Sequence, residues 1–146
     1  MLRELLTDDH RHCDDLFAEA EAVAGQGDGA KALAAFEDFR AALLLHFTAE
    51  EEVLFPAFEA QTGMTMGPTR MMRIEHEQMR HLLGLAVNAL QRADFDDYFG
   101  QVETLLIMMQ QHNMKEENVL YPMCDAHLGT QAAALGEQIG ACLKTS

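Results

Sequence analysis

The chain has 146 residues, 49% of them hydrophobic and 23% charged, and a formal net charge of −14. This length and composition predict one globular domain spanning residues 1–146. The acidic excess argues against binding nucleic acid, which needs clustered Lys and Arg, and against an anionic membrane surface. No apolar run is long enough to span a bilayer, and no signal-peptide pattern is visible. The three cysteines have no C-x-x-C spacing, so we expect a reduced, cytoplasmic protein without a disulfide framework.

Residue composition and glycine or proline breaks predict helices throughout, because sustained alternation of β-branched residues is lacking. The predicted helices cover about residues 2–24, 30–60 and 68–92, then a fourth long helix and a short one at about 130–143. Asp94 or Asp96 can cap the fourth helix, which runs to about Pro122 or slightly beyond. Pro56 should bend the second helix or end its regular part, because proline removes a backbone donor. Four long helices joined by short loops predict an all-α fold, an up-down-up-down antiparallel four-helix bundle with a short C-terminal helix.

An eleven-residue pattern occurs twice, as HFTAEEEVLFP over 46–56 and HNMKEENVLYP over 112–122. The offset of 66 residues also relates Asp9-His10 to Glu75-His76. Each half therefore contains an acid followed by His and then, further along, His-x-x-x-Glu. This regularity indicates two copies of a helical hairpin in one domain, since a solenoid needs at least about three repeats.

The repeated residues have the chemistry of metal ligands. Positions i and i+4 lie on one helix face, so each His-x-x-x-Glu presents an imidazole and a carboxylate together. One histidine from each of four helices and two bridging glutamates would form a mixed nitrogen and oxygen site, which suits a pair of iron or manganese ions. Burying these groups without metal would cost several kcal/mol. The predicted metal ligands are His10, His46, Glu50, His76, His112 and Glu116.

These motifs, with Leu-Phe-Pro after the first and Leu-Tyr-Pro after the second, resemble the hemerythrin-like (HHE cation-binding) family over about residues 5–125. The resemblance implies a four-helix bundle that holds two iron ions. It also implies that both glutamates bridge the irons and that an oxo or hydroxo group joins them. Manganese stays possible as the metal.

Other side chains compete for places at the site. His12 is an alternative to His10, which is favoured because the duplication pairs it with His76, whereas His12 pairs with Gln78. His81 lies about 140° around the helix from His76 and is expected to be exposed or packed. Glu51 and Glu117 either hydrogen-bond a ligand histidine or lie on the surface.

The chain departs from the oxygen-carrier pattern of this family in the third helix. An oxygen carrier places two histidines four residues apart there, but the positions four residues either side of His76 hold Met72 and Arg80. Four histidines instead of five would leave an open or water-filled position on both irons. Reversible oxygen carriage is therefore less favoured than sensing or chemistry.

The sequence thus predicts a non-haem di-iron protein that binds or senses small oxidants or gases, namely oxygen, nitric oxide or peroxide, in a stress response. One alternative is a di-iron enzyme for nitric oxide or peroxide reduction or for iron–sulfur cluster repair. Another is an iron-storage or metal-responsive interaction module. The expected partner is a small diatomic or peroxide ligand, with neither nucleic acid nor membrane.

Overall fold

A computed structural model of the chain describes residues 1–144. These residues form helices and connecting turns without any strand. The α-helices are α1 (Leu2–Gly25), α2 (Gly29–Ala49), α3 (Phe55–Thr62), α4 (Pro68–Gln91), α5 (Phe95–Lys115), α6 (Tyr121–His127) and α7 (Ala132–Leu143). Two π-helical segments, π1 (Glu50–Leu54) and π2 (Glu116–Leu120), and a 3₁₀ turn (Gly129–Gln131) complete the described chain. The all-α prediction is confirmed, and among these residues no helix is long and apolar enough to cross a membrane.

The helix bounds reproduce the duplication seen in the sequence. The first repeat consists of α1, α2, π1 and α3, and the second consists of α4, α5, π2 and α6. Apart from the final helix, each element of the second repeat has the same length as its counterpart in the first. Because α2, π1 and α3 are continuous, they form the second long helix predicted from the sequence; α5, π2 and α6 form the fourth in the same way.

A stripe of buried residues determines which face of each helix is turned inward. The buried residues of α1 recur every three or four positions, which is the helical period of a core-facing stripe. His10 belongs to this stripe, and His76 belongs to the matching stripe of α4. The apolar pattern therefore carries both imidazoles into the interior. The stripe of α1 is Leu2, Leu6, His10, Cys13, Phe17, Ala20 and Ala24.

The two π-helical segments end two residues before the prolines of the repeated motif. In π1 the helix widens, so that the N–H of Phe55 donates to the carbonyl of Glu50, five residues back. Pro56 has no N–H to continue this pattern, and the Arg73 guanidinium instead donates to the Glu51 carbonyl over 3.3 Å. Pro56 thus interrupts the regular hydrogen bonding without ending the helix, which continues to Thr62.

Apolar residues form two clusters, and the four histidines lie near the boundary between them on each helix. One cluster uses the parts of α1, α2, α4 and α5 that adjoin the connections between paired helices, with Phe36 and Phe39 among its buried rings. The other contains Leu54, Phe58 and residues of α7. Gly136 of α7 would bring a side chain to 3.9 Å from Leu2, so α7 packs closely over α1. The buried polar cluster therefore has apolar packing on both sides.

Candidate metal centre

All six predicted ligands lie together in the interior of the protein. None is more than 3% exposed. Their ligand atoms form two groups, and in each group the atoms lie within 4.8 Å of one another. Glu116 belongs to both groups, which is the arrangement expected of a bridging carboxylate. The first group, called here the His10–His46 position, is His10, His46 and Glu116; the second, the His76–His112 position, is Glu50, His76, His112 and Glu116.

The histidines point their Nε2 atoms at the central carboxylates. Nε2 of His10 lies 3.1 Å from Glu116 Oε1, and Nε2 of His112 lies 3.3 Å from the same oxygen. Glu50 Oε1 lies 3.1 Å from Nε2 of His76 and 3.5 Å from Nε2 of His46. Each glutamate thus contacts histidines from both repeats, so either carboxylate can serve two cations at once.

The other nitrogen of each imidazole contacts an outer carboxylate. Asp9 Oδ2 lies 2.8 Å from Nδ1 of His46, and Glu51 Oε2 lies 2.6 Å from Nδ1 of His76. The second repeat does the same, with Glu75 Oε1 at 2.8 Å from Nδ1 of His112 and Glu117 Oε2 at 2.6 Å from Nδ1 of His10.

These four contacts close a ring around the bundle, because they join α1 to α2, π1 to α4, α4 to α5 and π2 to α1. A carboxylate on Nδ1 holds the proton there and turns the Nε2 lone pair toward the centre. This is the tautomer that a metal-binding histidine needs.

Several buried atoms at the centre lack a hydrogen-bond partner among the described residues. His76 Nε2 lies 3.1 Å from Glu50 Oε1 and His112 Nε2 lies 3.3 Å from Glu116 Oε1, yet neither contact has the geometry of a hydrogen bond. Buried polar atoms are rarely left unsatisfied unless an ion or water completes the site. The donor set, imidazole nitrogen with carboxylate oxygen, fits iron or manganese better than structural zinc. The atoms are Glu50 Oε1, His76 Nε2, His112 Nε2 and Glu116 Oε2.

The carboxylates shift the pKa values of the buried histidines. Burial alone would lower the pKa of His46, but Glu50 and Asp9 outweigh it and raise the pKa to about 10. At His112 burial alone would again lower the pKa, but Glu116 and Glu50 outweigh it and raise the pKa to about 9. Without metal, the centre therefore holds extra protons that a bound cation must displace.

The central carboxylate Glu50 and the outer carboxylate Glu51 both have pKa values below the ordinary value. Burial alone would raise the pKa of Glu51, but hydrogen bonds from His76 and Arg80 outweigh it and lower the pKa to about 2. At Glu50, burial is again outweighed, mainly by the charge of His46, so the pKa lies well below its ordinary value. Glu50 and Glu51 therefore stay ionised and available to hold or support a cation.

Tyr121 adds a hydroxyl to the centre. Its oxygen donates to Glu50 Oε2 at 2.8 Å or to Glu116 Oε1 at 3.0 Å, and it lies 3.2 Å from His10 Nε2 and 3.3 Å from His46 Nε2. Burial and the two carboxylates raise its pKa well above the ordinary value. The corresponding residue of the first repeat, Phe55, stacks on His76 but has no hydroxyl. The Tyr121 hydroxyl is therefore a difference between the two repeats at the centre.

Three histidines lie outside the cluster, namely His12, His81 and His127, and all three are exposed. Met72, one of the two residues at the position of the missing fifth histidine, is buried in the apolar cluster that includes α7 residues. The other, Arg80, donates to both carboxylate oxygens of Glu51, at 2.8 and 2.9 Å.

Sequence reasoning left the roles of Glu51 and Glu117 open and did not assign Asp9 and Glu75 as histidine partners. The acid directly before the first histidine of each half was the available signal for Asp9 and Glu75. No comparable signal in the sequence pointed to Arg80, because its partner Glu51 is 29 residues away.

A helical protein with a buried cluster of imidazoles and carboxylates belongs to a class built to bind cations. The family of the hemerythrin HHE cation binding domain matches residues 1–124, most of the chain. The protein therefore belongs to this family, as the repeated motifs predicted. No curated protein and no solved structure gives a match to the chain. Together, the family and the His/Glu cluster define a hemerythrin-like domain whose side chains could bind metal.

Proposed function

We propose that this chain is a non-haem di-iron protein that binds or senses small oxidants or gases, namely oxygen, nitric oxide or peroxide, in a stress response. The observation that carries the proposal is the orientation of four buried imidazoles. Each has Nδ1 on an outer carboxylate and Nε2 toward two shared glutamates. An arrangement of this kind serves two cations held side by side.

In this proposal His10 and His46 are terminal ligands of one cation, and His76 and His112 are terminal ligands of the other. Glu50 and Glu116 would contribute oxygens to both. An up-down-up-down order of the four long helices supports this geometry, since it brings every ligand segment to one level of the bundle. When bound, iron supplies the redox chemistry and the open coordination positions; manganese would fit the same donor set.

Burial restricts what can reach the proposed centre. Glu50, His76 and Glu116 are fully buried, so a bulky substrate could not contact them without opening the bundle. A cavity of about 380 Å³ between α4 and α5 is lined partly by Glu75, His112 and Lys115. It brings solvent to the edge of the His76–His112 position. Such access suits diatomic gases and peroxide.

The three cysteines are free, which supports a cytoplasmic location.

Metal content of purified protein tests the di-iron assignment. Protein from iron-replete cells should contain about two iron ions per chain, since each histidine pair serves one cation. His10→Ala should lose iron, whereas His12→Ala should retain it, because His12 is exposed and lies outside the cluster. Equal iron content in the two variants, or absence of iron from the wild type, would contradict the proposal.

The choice of small ligand is tested by gas exposure under anaerobic conditions. The reduced, iron-loaded protein is mixed in turn with oxygen, nitric oxide and hydrogen peroxide, and its spectrum is followed by stopped flow. A binding or sensing protein should form one stable product per ligand. Catalytic release of nitrous oxide from nitric oxide would favour the enzyme alternative. A spectrum insensitive to all three ligands, with a bundle that loosens when metal is removed, would favour the metal-responsive module.

A further inference from the structure

We infer that the two cation positions have unequal affinities: the His10–His46 position fills first, and the His76–His112 position holds its cation more weakly. This inference rests on the proposed two-cation centre and adds an order of loading to it. It comes from the few residues at which the two repeats differ around an otherwise matching set of ligands.

The first difference concerns the charges behind the histidines. At the His76–His112 position both outer carboxylates are paired with cations, Glu51 with Arg80 and Glu75 with Lys115. Within residues 1–144, Asp9 and Glu117 form ion pairs only with their histidines. Among these residues, the outer carboxylates of the His10–His46 position thus have no Lys or Arg partner to offset them, which favours a bound cation.

The second difference is a position that has a negative charge in the first repeat and a positive charge in the second. Position 14 of the first repeat corresponds to position 80 of the second. Asp14 lines a surface cavity with Glu117 and interacts electrostatically with both Glu117 and His10. Arg80 instead binds Glu51, the counterpart of Glu117. Asp14 therefore adds negative charge beside one cation position, whereas Arg80 adds positive charge beside the other.

Packing holds Arg80 in that place. Its guanidinium lies 5.4 Å from the ring centre of Phe47, which stacks on His76 at 4.0 Å. The corresponding residue of the second repeat is Asn113, so the first position has no such platform. The positive charge at the His76–His112 position is therefore a built feature of the structure, whereas a freely moving surface arginine would be averaged over many positions.

The third difference adds a donor atom to the first position. The Tyr121 oxygen lies close to Nε2 of both His10 and His46. The corresponding Phe55 presents only a ring face to His76. Oxygen donors and uncompensated carboxylates both strengthen cation binding, so all three differences act in the same direction.

Cobalt(II) titration of the metal-free full chain tests the order of loading, followed by the absorption of bound cobalt and by calorimetry. We expect two resolved binding steps that differ at least about tenfold in affinity, the scale of effects from outer partners of a metal ligand. Anomalous diffraction from crystals grown with less than one equivalent of cobalt should place the ion between His10 and His46. Cobalt at the other position, or two equal steps, would overturn the inference.

Substitutions at Asp14 and Arg80 test whether these two charges cause the difference in affinity between the cation positions. Asp14→Arg makes the repeats alike at this position and should weaken the first step about tenfold, drawing the two steps together. Arg80→Asp should tighten the second step. Glu19→Arg is the matched control for Asp14→Arg, because Glu19 is exposed on α1 about one and a half turns beyond. It should leave both steps unchanged.

Asp14→Asn provides a milder variant with the same direction of effect and little risk to folding, since Asp14 is exposed. Two steps that keep their wild-type separation in both Asp14 variants would contradict the role of this charge. A wild-type chain that binds fewer than two cobalt ions would instead contradict the proposed two-cation centre itself, so the two failures are distinguishable.

Discussion

The two repeats are alike where they hold the centre together and differ where they surround it. Both supply two histidines, one central glutamate and two outer carboxylates, at a constant offset of 66 residues. They differ at Asp14 and Arg80, at Phe55 and Tyr121, and at Ala49 and Lys115. The comparison teaches that the repeated set forms the shared His/Glu centre, whereas single residues outside this set distinguish the surroundings of its two halves.

The largest expected effect comes from breaking the shared part of the comparison. Glu116→Ala should weaken binding of both cations by more than about a hundredfold, because Glu116 belongs to both ligand groups. Glu50→Ala should likewise weaken binding of both, because Glu50 Oε1 lies 3.1 Å from His76 Nε2 and 3.5 Å from His46 Nε2. Cobalt or iron titration measures both effects. Glu52→Ala serves as the control, because Glu52 is an exposed neighbour. If Glu116→Ala still bound two cations tightly, Glu116 would not be a ligand of both positions.

The next effect is a dependence of stability on pH that metal should remove. In the metal-free protein the pKa of His46 is about 10 and that of His112 about 9, above the ordinary 6.5. A raised native pKa stabilises the fold fully below pH 6.5, and this stability is lost as pH rises through the native values.

Urea unfolding of metal-free protein should therefore lose on the order of a few kcal/mol between pH 6.5 and 10. In the metal-loaded protein the imidazoles are already deprotonated, so the loss should be much smaller. Equal pH profiles for the two forms would contradict protonated imidazoles in the metal-free centre.

A smaller effect sharpens the comparison at the outer carboxylates. Glu117→Ala removes the partner of His10 Nδ1 and should weaken metal binding about 10- to 100-fold, chiefly at the His10–His46 position. Glu103→Ala, an exposed position on α5, is the matched control and should bind metal like the wild type. If Glu117→Ala behaves like the control, the ring of outer contacts does not orient the ligands.

The smallest effect concerns the turns before α2 and α5, where both repeats use a left-handed residue and an aspartate cap. Gly27 has φ 80° and Ala93 has φ 57°, followed by Asp28 and Asp94, whose carboxylates each accept a backbone N–H. Glycine adopts this conformation without steric cost, whereas alanine does not.

Ala93→Gly should therefore stabilise the protein by about 0.5–1 kcal/mol in urea unfolding. Gly27→Ala should destabilise it by a similar amount, and no neighbouring atom lies within 4 Å of a Cβ built there, so backbone strain alone would cause the loss. A destabilised Ala93→Gly would show that the turn is not strained in the second repeat.

The buried His/Glu cluster and the helices could be predicted from the sequence because they follow from local rules. The stripe that buries His10 and His76 is a helical period, and the i, i+4 spacing of His46 and Glu50 sets a shared face. The duplication then chose His10 over His12, and the structure places His10 in the centre and His12 at the surface.

The surroundings of the ligands could not be predicted in the same way. Glu117 and His10 are 107 residues apart, and periodicity gives the direction of a side chain but not the neighbour it meets. The π-helical segments before the two prolines also escaped prediction, because a proline within a helix is compatible with a bend, an end or a widened turn. Packing of the bundle decided among these outcomes.

Anomalous diffraction at the iron edge tests the central claim most directly, on crystals of protein purified from iron-replete cells. We expect two iron peaks in the interior, one beside Nε2 of His10 and His46 and one beside Nε2 of His76 and His112, with both central glutamates between them. A single peak, a peak at exposed histidines, or no iron in the interior would contradict it.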